Sequence, residues 1–243
     1  MTHVVVWMVA WSGPIGLVNE DKPAVTPAEI FTRSADAMKK ARHLRYQAHY
    51  EATAWISEFV PNIEGTVVMG KQSPYKIDTY TAKVSVKPKD AESPTPIDAG
   101  CDGDNYFLID AKSKTVHRDM DPGVLGELGS ETRRVILADF GKPQPYDDKN
   151  EGKTIELVGE QTIMDEPCYE IHIKGGDPPD VLWFISTRDY FPRRIVRLRK
   201  NQHDEPGSTQ LTLHHVEIDP DVSPSAFAPS VPEGYKQTDE FAQ

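Results

Sequence analysis

Residues 157–200 constrain the fold more than any other stretch of the chain. They read LVGEQTIMDEPCYEIHIKGGDPPDVLWFISTRDYFPRRIVRLRK, four short apolar runs in succession. The runs are separated by Asp165-Glu166-Pro167-Cys168, by Gly175-Gly176-Asp177-Pro178-Pro179 and by Phe191-Pro192-Arg193-Arg194. Tight polar connections rich in Gly and Pro between such runs describe an antiparallel meander. The stretch holds no nucleophile motif, phosphate loop or metal-ligand spacing, so it speaks for an architecture and not for a chemistry.

The remaining sequence extends that sheet. Thr26-Pro27-Ala28-Glu29 is a helix start, with Thr26 as N-cap, Pro27 in the first turn and Glu29 placed to return a bond to the cap. That helix should run to about Arg42-His43, with Ile30, Phe31, Ser34, Ala37, Met38 and Ala41 on its broad inner face. Period two then takes over: Leu44, Tyr46, Ala48, Tyr50, Ala52, Ala54 and Ile56 alternate with mostly polar residues, which predicts one long strand over 44–58. The small residues on its inner face leave room for a helix or a ligand. Further strands are expected at 63–70, 75–80, 106–109 and 115–118, with polar loops at 87–96 and 141–152. Residues 122–140 are a second helical region, interrupted by Gly126 and Gly129, that should bury Val124, Leu125, Leu128, Val135, Ile136 and Phe140. A last strand over 208–219 changes apolar phase at His214-His215, where a β-bulge is expected.

Composition bounds the function. The chain has 243 residues, 38% of them hydrophobic, which suits one globular domain with a real core. A net charge of −11 argues against a nucleic-acid or anionic-membrane binder. Cys101 and Cys168 make neither a zinc site nor a redox pair; they stand as two buried thiols or, in an oxidising compartment, as one disulfide. Residues 1–23 contain an apolar run of signal-peptide length that lacks a basic n-region and is too short to span a bilayer. They are read as a leader in preference to a segment of the fold, leaving 24–243 as a single domain.

No residue set stands out as catalytic, and no cofactor or metal is implied. His214 and His215 are adjacent on a strand with no second cluster at ligand spacing. Arg193, Arg194 and Arg197 lie on a basic strand in an acidic protein, a candidate docking patch for an acidic partner. Tyr46, Tyr50, Phe107, Trp183 and Phe184 are core candidates that could also line an apolar ligand site on the inner face of the sheet.

Taken in order, the N-terminal helix, the DGDNYFLID strand, the helical insert, LVGEQTIMDEPCYEIHI, VLWFISTRDYFPRRIVRL and the tail of Phe227, Pro229, Pro232, Gly234 and Tyr235 carry a resemblance. The series resembles an uncharacterised predicted-periplasmic family related to the LolA/LolB lipoprotein carriers, over residues 26–240. The resemblance implies an α+β, β-dominated fold: a curved antiparallel sheet, an incomplete β-barrel, wrapped around a few helices. It implies a periplasmic, non-enzymatic carrier of a lipid, a lipoprotein acyl chain or another apolar ligand held on the concave face. The alternative it leaves open is an accessory domain docking a protein partner, for instance a thioredoxin-like one. No individual carrier residue can be matched to this sequence.

Overall fold

The structure, a computed structural model, describes residues 25–71, 79–146, 153–175 and 180–242. The expected leader at 1–23, the first part of the strand expected at 75–80, the end of the 141–152 loop and the connection at 176–179 lie outside the described residues.

Twelve strands form one sheet: β1 (His43–Ala52), β2 (Asn62–Gly70), β3 (Thr79–Lys87), β4 (Thr95–Cys101), β5 (Tyr106–Asp110), β6 (Thr115–Asp119), β7 (Thr154–Ile163), β8 (Glu166–Lys174), β9 (Val181–Ser186), β10 (Pro192–Lys200), β11 (Pro206–Ile218) and β12 (Lys236–Thr238). Their order is β12-β6-β5-β4-β3-β2-β1-β11-β10-β9-β8-β7. All neighbours are antiparallel except the short β12, which runs parallel to β6. The meander β7–β10 is the one read from sequence. Its joint with the N-terminal half is the β1–β11 ladder, from Leu44↔Ile218 to Ala52↔Thr209. That ladder slips once, because Arg45 and Gln47 face Glu217 and His214 and leave His215 and Val216 together opposite Tyr46. His215 takes the left-handed conformation that such a bulge uses, at φ 49°.

One face of the sheet is covered by helices. Helix α1 (Pro27–Lys40) starts with the expected capping box, Thr26 Oγ1 accepting from Glu29 N at 3.2 Å and Thr26 N donating to Glu29 Oε2 at 2.8 Å. It buries Ile30, Phe31, Ser34 and Met38. The helical insert follows β6 as a 3₁₀ turn (Pro122–Leu125), the short α2 (Gly126–Glu131) and two more 3₁₀ turns (Thr132–Val135 and Ala138–Phe140). A continuous apolar core joins these elements to the inner side of the sheet, with Trp183, Tyr46, Tyr146 and Phe140 among its fully buried side chains. Phe31 and Trp183 both close on the Tyr146 ring, at centroid distances of 4.8 and 5.1 Å. Residues 219–235 lead from β11 to β12 across the opposite, open face: Thr81 Oγ1 donates to Ala226 O at 2.7 Å, and Phe227 stacks on His43.

Three expectations are corrected. The strand predicted over 44–58 stops at Ala52, where Ala54 turns to φ 52° and Ala54–Glu58 coils into a 3₁₀ helix. The loop expected at 87–96 is shorter, because β4 begins at Thr95. Leu128 is 39% exposed, since α2 is too short to present a second apolar row to the sheet.

Candidate binding groove

On the helix-covered face an opening of about 600 Å³ lies between the sheet and the insert. Tyr80 and Tyr106 form its sheet wall, and Ser130, Arg133, Ile136 and Ala138 form the wall supplied by the insert. The wall exists because β1 holds the insert down. Tyr46 Oη donates to Val135 O at 2.6 Å and accepts from Leu137 N at 3.1 Å, so one buried hydroxyl satisfies both orphan backbone groups of the turn. Burial, eased by the Leu137 bond, raises the pKa of Tyr46 and keeps it a neutral phenol. On the other side Gly129 lets α2 sit on Leu108, 3.3 Å from where a Cβ would stand.

Two features of the groove carry its chemistry. The Tyr80 hydroxyl is buried and forms no hydrogen bond of normal geometry with a described residue; Thr132, whose hydroxyl donates to Gly129 O at 2.6 Å, offers it at best a weak acceptor. Buried hydroxyls are normally paired, so this one calls for a ligand or a water. Arg133 is exposed and makes no ion pair with a described residue, whereas Arg134 chelates Glu131 through Nε and through Nη2 at 3.2 Å.

The structure separates the residues picked from sequence. Tyr46, Tyr50 and Trp183 are buried in the helix-face core, where the insert, Phe31 and Tyr146 already fill the centre of that face. Phe184 cannot join them: it follows Trp183 on β9, so it points to the open face and packs with Ile163 and Cys168. Phe107 also faces away from the insert, because its neighbour Leu108 is the one that meets Gly129; its ring lies against Gly100 of β4. The basic triad is divided too. Arg193, 7% exposed at its side chain, donates from Nε to Glu166 Oε2 at 2.6 Å and from Nη2 to Glu166 Oε1 at 2.9 Å, and pairs with Asp189. Arg194 lies on the open face, its guanidinium 5.9 Å from the Phe184 ring centre and its Nε bonded to Thr212 Oγ1. Arg197 stands opposite Val181, on the helix-covered side. The three do not make one patch.

The clasp around Arg193 explains why the two turns of the meander read so distinctly. Ser186 Oγ donates to Glu166 at 2.6 Å and accepts from Arg188 N, and Thr187 N donates to Pro167 O, so the β8 and β9–β10 turns are bolted together. Cys168 sits beside this clasp, and burial pushes its thiol up to about 11. Cys101 lies on β4 and points into the helix-face core, seven strands from Cys168 in the sheet order and on the other face. Neither thiol is in a disulfide, and that separation rules out an intramolecular one.

A second depression, about 680 Å³, runs along the open face between His49, Glu64, Ser85 and His214. His49 Nδ1 is 2.8 Å from Glu64 Oε1 and its ring is 6.4 Å from that of His214. Burial, and then the neighbouring His49 and His215, lower the pKa of His214. Ser85 makes no hydrogen bond to either histidine among the described residues, so no nucleophile is poised against a base here. No group of three metal-ligating side chains occurs among the described residues.

Residues 98–239 match the family described as "Predicted periplasmic protein (DUF2092)". The chain belongs to this family. The cell-envelope location and family expected from the sequence therefore hold, and the expected fold class, a β-dominated open antiparallel sheet around helices, is the one observed. No curated protein matches the sequence. Among solved structures the chain is similar to MucB, at 10% identity and a TM-score of 0.52 over 84% of this chain and 62% of MucB, a protein also solved as the Pseudomonas aeruginosa MucA/MucB complex. It is similar as well to LprF from Mycobacterium bovis, at 13% identity and a TM-score of 0.47 over 85% of this chain and 96% of that one. The LolA superfamily protein NE2245 from Nitrosomonas europaea gives 11% identity and a TM-score of 0.38 over 85% and 99%. At such identities the likeness is one of fold alone. No helix among the described residues is long and apolar enough to cross a membrane.

Proposed function

We propose that this protein is a non-enzymatic binding protein of the cell envelope that holds an apolar chain between its sheet and its helical insert. The observation that carries this reading is the opening of about 600 Å³ beside Tyr80, Tyr106 and Ile136, which lies within the range of small-molecule sites. The centre of the same face is packed by Trp183, Tyr146 and Phe31, so the ligand sits at the insert side and not in a deep central cavity. Each methylene sequestered there contributes roughly 0.8 kcal/mol before association costs, enough for useful affinity without a catalytic motif. Native mass spectrometry after gentle purification tests the idea. Retained amphiphile, lost when Ala138→Trp blocks the mouth, is the expected result; a chain that never carries or takes up an apolar molecule would sink it.

Docking of a protein partner is the second reading. Its support is the fold shared with MucB, which has been solved in complex with MucA. The dispersal of Arg193, Arg194 and Arg197 removes the basic patch on which that reading first rested.

A further inference from the structure

We infer that the ligand of the groove is an amphiphile with an anionic head, a carboxylate or phosphate joined to a single apolar chain, received by Arg133 and the Tyr80 hydroxyl. The inference rests on the binding reading given above and adds a ligand class to it. Charge is the first argument. Of the three charged residues at the mouth, Glu131 and Arg134 neutralise each other, which leaves Arg133 as a net positive charge on a protein of net charge −11. Arg133 is exposed and unpaired among the described residues, so a guanidinium fork stands available for bidentate recognition of an oxyanion.

The second argument is independent of charge. Tyr80 is 5% exposed, lines the groove, and carries a hydroxyl with no hydrogen bond of normal geometry to a described residue. Burial raises its pKa, so the group is a neutral donor at physiological pH, suited to an oxygen acceptor. A purely apolar ligand would leave that donor with only the weak Thr132 acceptor, whereas an oxyanion satisfies it together with Arg133. Ile136 and Ala138 line the same groove and offer apolar surface to the chain. The occupant is a free amphiphile and not a membrane surface. One groove of about 600 Å³ accepts a single chain, and the protein's overall negative charge repels an anionic bilayer.

The test is calorimetric titration of the full chain with dodecanoate, dodecyl phosphate and dodecanol, with phosphatidylglycerol vesicles in a parallel sedimentation assay. The two anions are expected to bind about tenfold tighter than the alcohol, with the difference shrinking in high salt. Arg133→Gln should bring the anions down to the alcohol's affinity and leave the alcohol unchanged, and Arg133→Lys should restore part of the preference. Because Arg133 is exposed, these variants are expected to keep the fold, to be checked by circular dichroism. Equal binding of all three probes, or an anion preference untouched in Arg133→Gln, overturns the inference and leaves the binding reading standing. Binding of none of them overturns both. Sedimentation with vesicles in the absence of binding to the free anions overturns it in favour of a membrane surface.

Discussion

A guanidinium with 7% of its side chain exposed survives in a β-sheet only if its charge is matched on the spot, and Glu166 and Asp189 do this for Arg193. Removing one partner is costlier than the pair's net worth, because the others stay buried and unpaired. Arg193→Ala is therefore expected to lower stability by about 3–5 kcal/mol in urea unfolding, the range for breaking a buried ion pair. Burial alone would raise the pKa of Glu166, but hydrogen bonds from Arg193 and Ser186 outweigh it and hold the carboxyl below its ordinary 4.5. A carboxyl whose folded pKa is depressed stabilises the fold above its unfolded value and loses that contribution as pH falls through the folded one. Wild-type stability should thus decline as pH drops through 4.5 and below, and Glu166→Gln should show a shallower acid limb when unfolding is followed against pH. The Glu166, Asp189 and Arg193 positions were conspicuous in the sequence. Their role was not, since a run of arginines looks the same whether it faces solvent or closes a turn.

At the level of elements, the insert depends on one hydroxyl. Tyr46→Phe strands Val135 O and Leu137 N, a loss of about 1–3 kcal/mol, and the released insert should be cut faster by trypsin at the exposed Arg133-Arg134 pair. Strand β4 makes a different demand. A Cβ on Gly100 would stand 2.2 Å from Tyr80 O, a backbone atom, whereas at Gly70 it would meet the tip of the Phe227 ring and Thr79 Oγ1, both at 2.8 Å. Side-chain atoms can move aside more readily than a strand, so Gly100→Ala should cost about 1–3 kcal/mol and Gly70→Ala less, ranked by urea midpoints. That crowding also explains why β4 was illegible. Its sequence, TPIDAGC, has the small residues that close packing requires and little β propensity, so composition reads it as loop. Elements set by local chemistry could be read directly: the Thr26 capping box, the turns of the meander and the phase change that marks the His215 bulge. The end of β1 could not, because alternation continues through Ala54 and Ile56 while the backbone turns.

Across the whole molecule, the faces decide what sequence could say of the site. Alternation assigned Tyr46 and Tyr50 to the inner side, but Trp183 and Phe184 are neighbours on one strand and period two must part them. The groove combines β3 and β5 with an insert between forty and sixty residues from β3's start, in a helical region whose arginines carry no motif, so nothing local marked it. The same geometry separates the cysteines. Ellman's reagent should find no reactive thiol in the folded chain and two after unfolding without reductant; a single missing pair of thiols would contradict the sheet order. The middle of the sheet, finally, is the ladder that joins Leu44 to Ile218. Neighbouring strands so distant along the chain close late, since loop entropy must be overcome before their contacts form, and folding is slow in such topologies. During synthesis, then, the N-terminal half waits for a partner made almost last. A chain cut before β11 is therefore expected to leave β1 without one of its two sheet neighbours, however well its own half is made.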